Sequence, residues 1–322
     1  MRSDIVLFTG TSNIELAKKI ARIISKKLKK IIKVIEPISH FEDGEIGLYI
    51  GESLRRKHVI IMQSTSQPRV NDYIMEMIFM ADAARRASAD EVTAVIPYYG
   101  YSRQDRKDKP RVSICAAVVA NMMIEAGFDR FLTLDIHAEQ EQGFIKQPWD
   151  NLFTSYCLVP TIKKEKIKNL VIASPDAGGV KRAKLYEACL KADGIAIVLK
   201  NRDVHTKDRC EVISMVGDVK GKNVLIVDDI ISTAGSIAKA RDLFIANGAK
   251  KVYVAAAHGI FSGNALKKIE GFEKVFVTDT IFHREEIKKC KKIKIVSVAP
   301  LLAEAIIRIH TGRSISKQLI LY

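Results

Sequence analysis

A chain of 322 residues, 48% hydrophobic and 28% charged, has room for about two domains, each able to bury its own core, and shows no compositional sign of disorder. The formal charge of +15 suits anionic partners, but much of it lies in the lysine runs at 26–30 and 288–292, which read as solvated faces, and no aromatic-basic motif or recognition helix makes nucleic acid the expected partner. Five cysteines without a Cys-x-x-Cys pair argue against a disulfide framework or a zinc site. No apolar run reaches the roughly 20 residues that span a bilayer, and Met1 leads almost directly into a strand-like run rather than a signal peptide, so no membrane role and a cytoplasmic location are expected.

Apolar, largely β-branched runs at 5–8, 59–62, 92–96, 131–134, 170–173, 224–227, 252–256 and 275–277 read as buried strands, with amphipathic helical stretches between them. This alternation predicts an α/β fold of two similar doubly wound domains with parallel sheets. The halves share a plan: strand 59–62 leads through a loop and a helix to strand 92–96, as strand 224–227 leads to strand 252–256. Proline, tryptophan and asparagine interrupt the pattern at 148–154, giving domains 1–153 and 154–306, with 307–322 expected back on the first.

Ligands of open α/β sheets gather beyond the carboxyl ends of strands, where the polar segments of this chain fall. In 97–107, Arg103 can hold polyphosphate bidentately, Gln104 can read a base edge or a phosphate oxygen, and Tyr98, Tyr99 and Tyr101 can pack on flat surfaces. An incidentally charged loop is the competing account. After strand 131–134, alternation puts Asp135 and His137 on one side if the strand continues, which suits the ordering of a metal-bound polyphosphate. Asp176, before Gly178 and Gly179, can hold Mg²⁺ or a ribose hydroxyl, or simply cap a helix. Lys200 and Arg202 end an apolar segment and enter a polar loop, where two cations at alternate positions can neutralise developing charge.

The strongest segment is 224–236. Its apolar run stops at Asp228 and Asp229, which are free to accept from sugar hydroxyls or hold a cation. The small-residue turn Ser232, Thr233, Ala234, Gly235, Ser236 then opens a helix whose unpaired N–H groups favour a phosphate. Together they read as a phosphoribosyl site.

With Phe41-Glu42-Asp43-Gly44-Glu45, these segments in this order resemble the ribose-phosphate diphosphokinase (phosphoribosyl pyrophosphate synthetase) family nearly end to end. The resemblance implies a duplicated phosphoribosyltransferase type I fold. It also implies transfer of the diphosphoryl group of MgATP to the C1 hydroxyl of ribose 5-phosphate, with AMP leaving. Arg103 and Gln104 would contact ATP, and Phe41, Asp43, Gly44 and Glu45 would hold adenine, from a neighbouring subunit of a homo-oligomer of dimers assembled into a hexamer. His137 and Asp176 would organise Mg²⁺. Asp228 and Asp229 would bind ribose hydroxyls, and Ser232 to Ser236 the 5-phosphate. Lys200 and Arg202 would stabilise the transition state, Arg202 also touching ribose 5-phosphate.

Several positions depart from the family pattern. Ser232 replaces an aspartate. Ser113, Cys115 and Ala117 alter the stretch after the ATP loop, where phosphate activation and ADP inhibition are at stake. Glu141 and Ile145 stand where smaller or apolar and aromatic residues are preferred, and Arg69 reads as an insertion. These departures motivate one alternative, a catalytically weak or silent regulatory paralogue that assembles with active synthetases.

Overall fold

The structure, a computed structural model, describes residues 4–202 and 211–315. The chain divides into two compact units, one of Met1–Phe153, Thr280–Phe282 and Ser297–Ile320, the other of Thr154–Asp279 and His283–Val296 with the last two residues.

In the first unit the elements are β1 (Ile5–Thr9), α1 (Ile14–Leu28), β2 (Val34–Ile35), β3 (Ile38–His40), β4 (Ile46–Leu48), β5 (His58–Met62), α2 (Val70–Arg86), β6 (Glu91–Ile96), α3 (Cys115–Glu125), β7 (Arg130–Leu134) and β8 (Trp149–Leu152). Six strands form a parallel sheet in the order β2-β1-β5-β6-β7-β8, while β3 and β4 make a separate antiparallel hairpin. Every residue of β1 and β5 is buried, as a strand covered on both faces requires. α2 and α3 pack through Met77, Ala81, Ala116 and Ala120 on Phe8, Ile61 and Ala94. Asn13 starts α1 by accepting the Leu16 N–H.

The second unit contains α4 (Ser155–Lys163), β9 (Leu170–Ser174), α5 (Val180–Leu190), β10 (Ile195–Arg202), β11 (Glu211–Val216), β12 (Asn223–Ile231), α6 (Gly235–Ala246), β13 (Lys251–Gly259), α7 (Ala265–Ile269), β14 (Val275–Thr278), α8 (Glu285–Lys289) and β15 (Ile293–Val296). Its sheet runs β11-β10-β9-β12-β13-β14-β15, parallel except for the β10–β11 pair. Alternation along the strands splits the core in two: Val224 and Ile226 face the cluster of Ile237, Ala240 and Phe244 of α6. Leu225 and Val227 join the cluster of Leu158 and Ile162 of α4 with Ala183 and Tyr186 of α5.

The last helix, α9 (Ala299–Thr311), belongs to the first unit and packs on α1, with Lys27 Nζ 2.6 Å from Glu304 Oε2. The returning segment thus starts at Ser297 rather than at 307, because one continuous helix docks as a whole through Leu301, Leu302, Ile306 and Ile307.

Four sequence expectations are corrected. The 148–154 stretch, within which the units divide between Phe153 and Thr154, is not without regular structure: it holds the edge strand β8, whose backbone pairs with β7 despite its mixed side chains. The strand before His137 does not continue: Asp135 takes φ 40°, so alternation cannot align Asp135 with His137. Lys200 and Arg202 are not in a loop but at the end of β10, paired with Ile213 and Glu211 of β11. The aspartate pair does not end its strand, since β12 runs through it to Ile231, with Asp228 opposite Ala256 and Ile230 opposite His258.

Candidate active site

In the second unit, three strand-end features lie on the neighbouring strands β9 and β12. Ser174 donates from Oγ to the Asp176 carbonyl at 2.6 Å, and the Gly179 N–H donates to Asp176 Oδ1 at 3.1 Å. A Cβ at Gly179 would come within 2.5 Å of Ser174 Oγ, so a side chain there would displace the Ser174 hydroxyl from its bond to the Asp176 carbonyl. Asp176 itself is exposed, and one of its oxygens caps the turn.

Asp228 and Asp229 come from adjacent positions near the end of β12 and point at one cation. Arg182 Nη1 of α5 lies 3.5 Å from Asp228 Oδ1 and 3.8 Å from Asp229 Oδ1, and the Asp229 N–H donates to Asp228 Oδ1. Burial, with the charge of Asp229, raises the Asp228 carboxyl well above the usual carboxylate range, and Arg182 opposes that rise. Sequence reading missed Arg182; its position in the first turn after the glycine pair was the available signal.

The turn beyond the pair closes on α7. Ser232 and Ser262 hydroxyls lie 3.0 Å apart, the Ser262 N–H donates to the Ser232 carbonyl, and Lys268 Nζ donates to the Thr233 carbonyl at 3.1 Å. Ala234 is left-handed at φ 57°, which turns the chain so that α6 starts at Gly235, two residues before the start expected from sequence. Gly235 and Ser236 thereby offer first-turn N–H groups, with Thr233 and Ser236 exposed. Lys268 was also missed, because only the tertiary fold brings α7 to this turn. The backbone at Lys200 and Arg202 is placed in β10; their side chains lie outside the described residues.

In the first unit the Arg103 loop follows β6. Tyr98 and Tyr99 are buried rather than available to a ligand: Tyr99 donates from its hydroxyl to the Ala116 carbonyl and meets Trp149 edge-on at 5.3 Å. This corrects the expectation for those two rings. Tyr101 donates to Asn71 Oδ1 at 2.6 Å. The Gly100 N–H donates to Thr65 Oγ1, and a Cβ there would stand 2.3 Å from the Thr65 carbonyl. On this anchored base Arg103 and Gln104 are exposed, the Gln104 N–H donating to the Tyr101 carbonyl at 2.8 Å.

Beside it, the His137 N–H donates to Ser102 Oγ at 2.8 Å, so the segment after β7 is tied to the Arg103 loop, and His137 is exposed. The tip of the β3–β4 hairpin carries Phe41, Asp43, Gly44 and Glu45, all exposed, with Phe41 61% so. Its turn is closed by the Phe41 N–H on the Glu45 carbonyl and the Gly44 N–H on the Phe41 carbonyl, and Gly44 at φ 93° meets its geometry. At the turn end of the hairpin, Arg69 Nη2 lies 3.0 Å from His40 Nε2 and Arg69 Nε 2.6 Å from Asp72.

Among the described residues no group of three or more His, Cys, Asp or Glu side chains could hold a metal, and no helix is long and apolar enough to cross a membrane.

Two largely parallel sheets with acidic and cationic groups at their strand ends define a doubly wound α/β class. Residues 5–127 match the N-terminal domain of ribose phosphate pyrophosphokinase, and residues 200–320 the phosphoribosyl synthetase-associated domain. The chain is 46% identical to ribose-phosphate pyrophosphokinase of Chlorobaculum tepidum, covering 98% of this chain and 95% of that one, and 45% identical to ribose-phosphate pyrophosphokinase A of Dictyostelium discoideum, covering 98% of each. Among solved structures, phosphoribosylpyrophosphate synthetase from Mycobacterium smegmatis superposes with a TM-score of 0.87 at 34% identity, over 96% of this chain and all of that one. The chain belongs to the ribose-phosphate pyrophosphokinase family.

Proposed function

We propose that this protein is a cytoplasmic ribose-phosphate diphosphokinase, transferring the diphosphoryl group of MgATP to ribose 5-phosphate. The observation that carries the reading is near full-length identity of 42–46% with relatives named as ribose-phosphate pyrophosphokinases, joined to a second unit whose acidic pair leads directly into a helix-opening turn. Those names also favour an active enzyme over the silent regulatory paralogue.

The C1 hydroxyl oxygen of ribose 5-phosphate bonds to the β-phosphorus of ATP, the bond from that phosphorus to the oxygen of AMP breaks, and the hydroxyl proton is lost. Asp228 and Asp229 accept from the ribose hydroxyls, their charge balanced by Arg182. Ser232, Thr233, Ala234, Gly235 and Ser236 cradle the 5-phosphate through hydroxyls and helix-start N–H groups, with Lys268 as a further cation. Ser232 substitutes a hydroxyl for a carboxylate and is already turned toward Ser262. Arg103 and Gln104 hold the ATP phosphates and base, and the exposed Phe41 with Asp43, Gly44 and Glu45 receives adenine across a subunit boundary of a homo-oligomer built from dimers into a hexamer. Lys200 and Arg202 neutralise charge on the moving group, Arg202 also touching ribose 5-phosphate.

The exposed carboxylate of Asp176 fits Mg²⁺, which keeps much of its shell as water and phosphate oxygen, whereas the exposed His137 imidazole suits contact with that shell better than direct ligation of so hard an ion. Asp176 would hold such an ion in the second unit, and His137 would organise one separately on the nucleotide phosphates bound to the first. When bound, the ion neutralises polyphosphate charge; positioning and electrostatics by the protein do the rest.

The purified protein is expected to release AMP from MgATP only when ribose 5-phosphate is present, and Lys200→Ala to lower turnover by about 10²–10³. Absence of AMP across a range of phosphate and ADP concentrations rejects the proposal. The same titration shows whether Ser113, Cys115 and Ala117 have altered regulation by those ions.

A further inference from the structure

We infer that Glu141 is a positioning residue that locks the loop of Arg103 and Gln104 to the His137 segment and so sets the affinity for nucleotide, an inference that rests on the assignment of that loop to ATP. Glu141 lies in the short 3-10 turn Glu139–Phe144 and is fully buried. Its Oε1 accepts the Ser102 hydroxyl at 2.6 Å and the Ala138 N–H at 3.1 Å, and Ser102 Oγ accepts the His137 N–H at 2.8 Å. One carboxylate oxygen therefore fastens both the residue just before Arg103 and the backbone just after His137.

Its other oxygen, Oε2, is buried with no hydrogen-bond partner among the described residues. A group filling this space for packing alone would be better apolar, since a buried carboxyl with one orphaned oxygen is costly. The Ser102 and Ala138 bonds are what this side chain supplies that an apolar one of the same size cannot. Burial pushes its carboxyl up to about 7, against the opposing effect of those two bonds, and in either protonation state Oε1 can remain the acceptor. The loop it secures presents Arg103 and Gln104 to solvent, where their orientation depends on how the backbone beneath is held.

Steady-state kinetics on the full chain with MgATP and ribose 5-phosphate test this. Glu141→Leu, which keeps most of the volume and removes the acceptor, is expected to raise the KM for MgATP about tenfold or more. The KM for ribose 5-phosphate should stay within about twofold, since that substrate is assigned to the other unit. Glu141→Gln, whose amide oxygen still accepts both bonds, is expected to recover most of the loss. Ser102→Ala should raise the KM for MgATP on its own and add little on top of Glu141→Leu, because both act through one link.

An unchanged KM for MgATP in Glu141→Leu overturns the inference, as does an equal rise for both substrates or a Gln variant as impaired as Leu. Should Glu141→Leu fail to fold, an unchanged KM for MgATP in Ser102→Ala overturns it. Arg103→Ala separates the two levels of argument. If it leaves the KM for MgATP unchanged, the ATP assignment of the loop falls; if it raises that KM while Glu141→Leu does not, only the positioning role falls.

Discussion

Asp228 shows how one side chain's protonation becomes a property of its neighbours. Burial and Asp229 favour its neutral form, and Arg182 is the cation that opposes them. Arg182→Met removes that opposition, so a higher pH is needed to ionise the pair, and the acidic limb of kcat/KM for ribose 5-phosphate is expected to move upward. A pH profile whose limb stays in place contradicts the assigned role of the pair. His58 poses the complementary case. Its Nε2 is 2.8 Å from Thr93 Oγ1 and its Nδ1 3.2 Å from His310 Nδ1, and burial, reinforced by His310, pushes its pKa down to about 4.

The unfolded chain takes up a proton at His58 near pH 6.5 while the folded one does not. Stability from this group is therefore complete above about pH 6.5 and lost as pH falls toward 4, by up to about 3 kcal/mol. Glu141, raised from 4.5 to about 7, acts in reverse: its contribution is complete below about 4.5 and lost as pH rises toward 7. Between pH 4.5 and 6.5 the two slopes oppose each other. His58→Asn is expected to leave a thermal stability that falls with rising pH across this window; a pH dependence of unfolding identical to that of the unsubstituted protein contradicts this. Neither group was legible as titrating abnormally from sequence, because desolvation is set by what packs around a side chain and not by its neighbours in the chain.

At the scale of elements, strands were legible wherever an apolar run was buried on both faces, as in β1, β5 and β12. They were not where the backbone carried the pairing: β8, with Asp150 and Asn151, and the end of β12 beyond Val227 continue their ladders through polar residues. The same limit explains the β10 correction, since antiparallel pairing with β11 extends the strand through Lys200 and Arg202. The candidate site was legible as a set of strand-end loops, but Arg182 and Lys268 reach it only through helix packing. The Arg103 loop depends on one close approach. Gly100→Ala would set a methyl group against the Thr65 carbonyl and displace the loop, and is expected to cost about 1–3 kcal/mol of stability and to raise the KM for MgATP. Unfolding and kinetics matching the unsubstituted protein would show that the loop is not held there.

At the scale of the molecule, the two units repeat one topology. If the strands of each parallel set are counted in chain order, both sheets read 2-1-3-4-5-6, with antiparallel structure inserted after the second strand: the separate β3–β4 hairpin in the first unit, β11 paired with β10 in the second. Each sheet reverses direction beside its first strand, where ligands of such folds bind. In the second unit that point is flanked by Asp176 and by the Asp228–Asp229 pair. In the first unit it holds the protein's own groups: Gln63 Oε1 accepts from the N–H and hydroxyl of Ser12, and the fully buried Glu76 accepts from the N–H and hydroxyl of Thr11. The assigned nucleotide contacts accordingly lie on later strands, after β6 and β7, and on the hairpin. The proposed homo-oligomer is tested on α3, where Val118 and Met122 are exposed one turn apart. Val118→Asp with Met122→Lys is expected to lower the mass found by sedimentation, and an unchanged mass places the contact elsewhere.

The central claim, transfer of a diphosphoryl group as one unit, is tested most directly with ATP labelled at the β-phosphorus. The account predicts that the label appears in phosphoribosyl diphosphate, with one AMP formed for each label transferred and none without ribose 5-phosphate. Label retained in ADP, or released as free diphosphate while ribose 5-phosphate is recovered unchanged, would contradict it.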